Sequence, residues 1–252
     1  DTFDTWFSSG QWPFATLKSW GEKDFEYFYP TSVMETGYDI LPFWVLRMLM
    51  LGLYVTGKVP FENILLHGLV RDKEGQKISK SKGNVIDPQD MANKYGADAV
   101  RMSLIWGTLI ENDVALSEDN IRGQRNFANK IWNISRFVFM NERGKKATQN
   151  EDDKWILSEF KKTAKKASSL IEKYRLNEAA ELLYDFTWKK FADQYLERIK
   201  NRREESQYTL EKVLEGTLII LHPFMPFVTE AIWQQGNGRF SSPQLISAKW
   251  PK

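Results

Sequence analysis

Two rhythms of apolar residues divide this chain. Up to about residue 70 they come in short runs separated by turn formers, whereas from Ser117 onward they recur at helical spacing almost to the end. Val33 to Thr36 predicts a strand closed by Gly37. Ile40, Trp44, Met48 and Leu51 then repeat with the period of a helix to about Leu53, stopped near Gly57 and Pro60, and Ile64 to Val70 predicts a second strand. Strand, helix and strand with a crossover of this length form a parallel unit whose ligands bind at the carboxyl ends of the strands. Residues 1–30 are rich in aromatics and turn formers and read as loop and short helix. Helices follow from about Met91 to Gly96 and from Ala97 to about Trp106, and residues 107–117 connect them to Ser117, a candidate N-cap. Beyond it the pattern predicts helices over 118–141, 152–174, 177–202 and 207–221 and a short one near 228–235. Long helices with short links pack as an antiparallel bundle. The fold class is therefore α/β plus all-α, with domains at 1–116 and 117–252.

The chemistry gathers at the ends of the two strands. After Val70 the chain turns at Asp72-Lys73-Glu74-Gly75 and enters a loop in which Lys77, Lys80 and Lys82 alternate with Ser79 and Ser81. Ammonium groups on flexible stems beside short hydroxyl donors suit a polyphosphate, although a solvated basic hairpin has the same composition. Asp39, just past Gly37, can accept both hydroxyls of a ribose while Gly37 lets a ligand approach the backbone; it can equally be a plain N-cap. At the end of the second strand, backbone groups of His67, Gly68, Leu69 and Val70 could read an adenine ring admitted by Gly68, with no acid/base role for His67. Trp6, Ile40 and Trp44 could wall a small aliphatic pocket, or be core aromatics. On the helix from Glu118, residues Arg122, Asn126, Asn129, Asn133 and Arg136 fall at steps of four, three, four and three. They share one face, able to hydrogen-bond base edges and phosphates of single-stranded RNA or simply to be hydrated.

Composition narrows the classes. With 252 residues, 42% hydrophobic and 27% charged, the chain is globular and long enough for two ordinary domains. A net charge of +2 makes any nucleic-acid contact a matter of local patches. The absence of cysteine excludes disulfides and thiolate metal sites, and two histidines leave little for an imidazole site, so no protein-bound metal is expected. No apolar run is expected to reach bilayer-spanning length and no signal peptide is seen, which points to a cytoplasmic protein without membrane contact. A phosphate loop of the Gly-x-x-x-x-Gly-Lys-Ser/Thr type is absent, which disfavours a P-loop ATPase.

The pentamer Lys77-Ile78-Ser79-Lys80-Ser81 resembles the Lys-Met-Ser-Lys-Ser loop of class I aminoacyl-tRNA synthetases. Asp4-Thr5-Trp6-Phe7-Ser8-Ser9, Thr36-Gly37-Tyr38-Asp39-Ile40, Phe43-Trp44, His67-Gly68-Leu69-Val70-Arg71-Asp72, Arg125-Asn126-Phe127-Ala128-Asn129-Lys130 and His222-Pro223-Phe224-Met225-Pro226-Phe227 resemble the valyl branch of that class, in order and over nearly the whole chain. The isoleucyl branch usually carries Asp-Val-Trp-Phe-Asp and Glu-Gly-Ser-Asp-Gln at the first two places. The resemblance implies the second half of a Rossmann-type nucleotide-binding fold followed by an anticodon-binding bundle. It implies that Asp39 binds the ribose of the adenylate, that Gly37, His67, Gly68, Leu69, Val70 and Lys80 meet ATP, and that Lys77, Ser79, Lys80 and Ser81 act on its phosphates. Trp6, Ile40 and Trp44 would hold valine, and the partners would be ATP with its Mg2+, L-valine and a valine-specific tRNA in a monomeric whole enzyme. An isoleucyl- or leucyl-type chain, or a tRNA-binding module without catalysis, are the alternatives. The other signature of the class, His-Ile-Gly-His, is not in this sequence, and the chain starts at Asp1 directly in a motif. A piece of a longer enzyme, without its editing domain and unable to activate valine alone, is expected.

Overall fold

Thr31–Gly37 (β1) and Phe61–His67 (β2) pair in parallel, Gly37 opposite His67, as the strand–helix–strand pattern requires. The computed structural model describes residues 2–72, 74–76, 78, 86–145 and 149–251. Its chain forms two compact units, one of Asp1–Leu69 with Ile110–Asp113 and one of Val70–Leu109 with Val114–Lys252.

In the first unit three short helices, α1 (Thr5–Gly10), α2 (Trp12–Trp20) and α3 (Glu22–Phe28), precede β1. Asp4 starts α1 by accepting the Trp6 N–H at 2.8 Å, and Gly21, at φ +124°, divides α2 from α3. The crossover between the strands is less regular than its apolar period suggests. Tyr38–Ile40 is a 3-10 turn, Leu41–Val45 a π-helical stretch containing Pro42, and only Leu46–Thr56 (α4) is α-helix, ended by Gly57 in the left-handed region. Val45, Met48 and Phe61 form the core of this unit, with Met34, Leu41, Trp44 and Leu49 around them. Taken together, Tyr38–Thr56 is a 19-residue helical stretch of mean hydropathy 1.4, long and apolar enough by length and composition to cross a bilayer. That corrects the expectation that nothing here reaches such a length; Asp39 and Arg47 interrupt the apolar run in sequence without interrupting the helix. Here it is the crossover of the parallel unit, with Met48 fully buried.

The second strand also departs from its pattern. It ends at His67, not Val70, because the Gly68 N–H donates to the Ile110 carbonyl at 2.8 Å and the Leu69 N–H to Asp113 Oδ1 at 2.7 Å. Val70–Arg71 (β3) instead pairs in parallel with Val114–Ala115 (β4), within the second unit.

The second unit continues with α5 (Pro88–Tyr95) and α6 (Ala97–Ile105), then α7 (Glu118–Phe139), whose N-cap is Ser117, accepting the Asn120 N–H at 3.2 Å. Next come α8 (Glu151–Glu172) and α9 (Leu176–Asp185), the latter continued by a π-helical stretch at Phe186–Tyr195 and α10 (Leu196–Arg198). The unit closes with α11 (Gln207–Leu221) and α12 (Pro226–Gln235). The main apolar core runs from Phe127 and Ile131 through Ile156, Leu183 and Phe191 to Leu214 and Ile232, and a smaller one joins Ala99, Val100, Leu116 and Ile121. The start of α8 is tied into it. Asn150 and Asp153 cap each other, and the buried Tyr195 hydroxyl donates to Asp153 Oδ1 at 2.5 Å. Burial and the neighbouring carboxylate both push the Tyr195 hydroxyl far above its ordinary pKa, so it stays a donor. Tyr195→Phe leaves that carboxylate short of one donor and is expected to cost about 1–3 kcal/mol in urea unfolding; an unchanged midpoint would show that the bond contributes nothing.

Candidate nucleotide and RNA sites

The carboxyl ends of β1 and β2 bring four of the expected residues to one point. A methyl group built on Gly37 would lie 2.8 Å from Asp39 Oδ1, 3.6 Å from the His67 ring and 3.7 Å from Leu69 Cδ2. Asp39, read as a possible N-cap, caps nothing: it sits inside the 3-10 turn, is exposed, and has no hydrogen-bond partner among the described residues. An exposed carboxylate with no partner among the described residues, next to backbone that carries no side chain, can accept two vicinal hydroxyls. His67 is fixed between two acceptors, with Nδ1 2.8 Å from the Gly68 carbonyl and Nε2 3.2 Å from Glu35. A ring held in this way suits positioning better than proton transfer. Glu35 was not singled out by sequence, although its place two residues before Gly37 on β1 puts it on the same face.

At Gly68 a methyl group would lie 2.0 Å from the Asn112 carbonyl oxygen, so the backbone of 110–113 fills the space that a side chain would take. The N–H groups of Gly68 and Leu69 donate within the chain, to the Ile110 carbonyl and to Asp113 Oδ1. Val70 lies in the other unit, paired with Val114.

Of the pocket residues, Trp44 joins the core and its indole N–H donates to the Ser9 carbonyl at 3.2 Å. Trp6 is half-buried, with the Arg47 guanidinium 5.4 Å from its ring centre and Phe43 6.3 Å away. Ile40 is half-buried in the 3-10 turn. Lys77, Ser79, Lys80 and Ser81 lie outside the described residues.

On α7 the spacing argument holds. Arg122, Asn126, Asn129, Asn133 and Arg136 are all exposed, whereas Ile121, Phe127, Ile131, Ile134 and Val138 are buried. Arg122 pairs with Asp119, but Asn126, Asn129, Asn133 and Arg136 have no side-chain partner among the described residues. Beside Asn133 a groove of about 350 Å³ opens between α7 and the π-helical stretch, floored by Ile134, Phe137 and Leu196 and edged by Lys130, Glu197 and Lys200. Sequence reading missed this groove because half of it comes from residues some sixty positions further on. The basic cluster at 198–203 is partly spoken for, since Arg198 and Arg202 both pair with Asp152.

Residues 1–117 match the family described as tRNA synthetases class I (I, L, M and V), and residues 153–252 match the anticodon-binding domain of tRNA ligase. The chain is 47% identical to a valine–tRNA ligase of Symbiobacterium thermophilum over 98% of its own length and 29% of that protein. It is 45% identical to a valine–tRNA ligase of Geobacter sulfurreducens over 100% of its length and 30% of the relative. It therefore spans about 30% of the curated relatives it matches. Among solved structures it superposes on a LeuRS of Agrobacterium radiobacter, determined with tRNA and LeuAMS, with a TM-score of 0.83 and 21% identity, over 100% of this chain and 33% of that one.

Proposed function

We propose that this chain, which matches the class I tRNA synthetases over residues 1–117 and the anticodon-binding domain of tRNA ligase over 153–252, is the part of a valine–tRNA ligase that carries the ribose and phosphate contacts of ATP and the binding face for the anticodon arm. In the whole enzyme an oxygen of the valine carboxylate attacks the α-phosphorus of ATP, pyrophosphate leaves, and valyl-adenylate forms. A ribose hydroxyl at the end of the tRNA then attacks the adenylate carbonyl, and AMP leaves.

The observation that carries this reading is the Asp39 carboxylate, unpartnered among the described residues and set over Gly37 at the carboxyl end of β1, where open parallel sheets bind nucleotides. Asp39 holds the ribose, and Lys77 and Lys80 neutralise charge on the β and γ phosphates as pyrophosphate departs. Magnesium arrives with the ATP as part of the substrate. Trp6, Ile40 and Trp44 bound the site of the valine side chain. The unpartnered amides of α7 and the groove beside Asn133 suit unstacked bases, since amides read base edges and aromatic rings such as Phe137 stack with them.

The test is aminoacylation by the whole protein with valine offered against isoleucine and leucine. Valyl-tRNA as the main product supports the proposal; isoleucyl- or leucyl-tRNA would remove the valine assignment. For the RNA face, Asn129→Ala together with Asn133→Ala is expected to raise the Kd for tRNA about thirtyfold, at roughly 1 kcal/mol for each of two lost hydrogen bonds, with pyrophosphate exchange in the absence of tRNA unchanged. A filter-binding titration checks the first and an exchange assay the second; equal affinity for the double variant would move the RNA contact elsewhere.

A further inference from the structure

The motif His222–Phe227 has no part in either candidate site, yet it is held in an uncommon way. Helix α12 begins at Pro226 and its N-cap residue is Met225, which has no oxygen to offer the open N–H groups of the first turn. They are met from α6 instead. Asp98, only 5% exposed, accepts the Phe227 N–H at 3.2 Å through one carboxylate oxygen and the Val228 N–H at 2.6 Å through the other. Three residues along α6, Arg101 donates to the Pro223 carbonyl at 3.0 Å. His222 Nδ1, 2.8 Å from Thr229 Oγ1, fixes the turn between them. Negative charge thus meets the positive end of α12 and positive charge meets a carbonyl, from two positions on one face of one helix.

A serine, threonine or aspartate at position 225 would cap α12 without help. Drawing the cap from a buried carboxylate more than a hundred residues earlier makes the start of α12 depend on where α6 lies. The segment holding α6 is fixed to the bundle at a second helix start as well, for Lys94 and Tyr95 on α5 donate to Glu118 in the first turn of α7 at 2.7 and 2.6 Å. We infer that Asp98 and Arg101 clamp α6 to the start of α12, coupling the segment that follows the lysine-rich loop in sequence to the RNA-binding bundle, and that Asp98 is a positioning residue for transfer of the amino acid to tRNA. The inference rests on the tRNA-ligase reading above.

The experiment compares two activities in the whole protein: valine-dependent pyrophosphate exchange without tRNA, and the kcat of tRNA aminoacylation. For Asp98→Ala, exchange stays within about twofold while aminoacylation falls about tenfold or more, since misplacement of remote elements by an ångström can cost on the order of a hundredfold. Asp98→Asn, which keeps one acceptor, and Arg101→Met, which removes only the outer contact, show the same split at smaller size. An equal fall in both activities, or unchanged aminoacylation, overturns the coupling. If Asp98→Ala does not fold, the ratio of the two activities in Arg101→Met decides by the same criterion. A wild type with no valine-dependent exchange overturns the valine reading together with the coupling, and does so before any variant is compared.

Discussion

Replacing Asp39 by Ala lowers the kcat/KM of valine-dependent pyrophosphate exchange by the whole protein by about a hundredfold or more, and leaves its melting temperature where it was. The stability half of that result follows from the structure, because the carboxylate is exposed and has no partner among the described residues to lose. The activity half follows from the proposed ribose contact, in which one charged group binds two hydroxyls. A hydrogen bond to a charged partner contributes about 1.5–3 kcal/mol, and each 1.4 kcal/mol is a factor of ten. Exchange kinetics at varied ATP read it out directly. A loss below tenfold would mean that the ribose is held by something else.

Gly68→Ala is the largest stability change expected at the site. Its new methyl group would sit 2.0 Å from the Asn112 carbonyl oxygen and 2.5 Å from the Asp113 nitrogen, both backbone atoms that cannot swing aside. Overpacking costs about 1–3 kcal/mol where side chains can adjust, so a clash with backbone belongs at the top of that range or above it. The shift needed would also break the bonds from Gly68 to Ile110 and from Leu69 to Asp113. Gly123→Ala on the exposed face of α7 is the control. Nothing lies within 4 Å of its new methyl group, and the change should stabilise by about 0.5–1 kcal/mol through helix propensity. Calorimetry on the two variants separates close approach from glycine's flexibility; a harmless Gly68→Ala would mean that residues 110–113 do not pack against Gly68.

What the sequence made legible is what depends on neighbours in sequence. The helix Gln207–Leu221 has the bounds its apolar period predicts, Ser117 caps α7 as its side chain suggested, and the amide row of α7 is exposed because helical spacing alone decides which face it takes. Features set by distant residues were hidden. The break after His67 depends on Ile110 and Asp113, over forty residues away, which capture two N–H groups that a strand would otherwise use. The groove beside Asn133 needs Leu196 and Lys200, and the idle Asp39 needs a 3-10 and π-helical start to the crossover, where the periodicity had promised an even helix. Trp44 shows the same limit in another form. Its place in the apolar stripe was plain, but the indole N–H bond to the Ser9 carbonyl joins residues thirty-five positions apart and could not be read from the period.

Pyrophosphate exchange by the whole protein, with valine, isoleucine, leucine and threonine offered separately and wild type set beside Lys80→Ala, tests the central claim most directly. Strong exchange with valine, reduced about a hundredfold or more by loss of one ammonium group from the phosphates, is the predicted result. Exchange supported by another amino acid would overturn the valine assignment, and none with any of the four would contradict an adenylate-forming enzyme altogether.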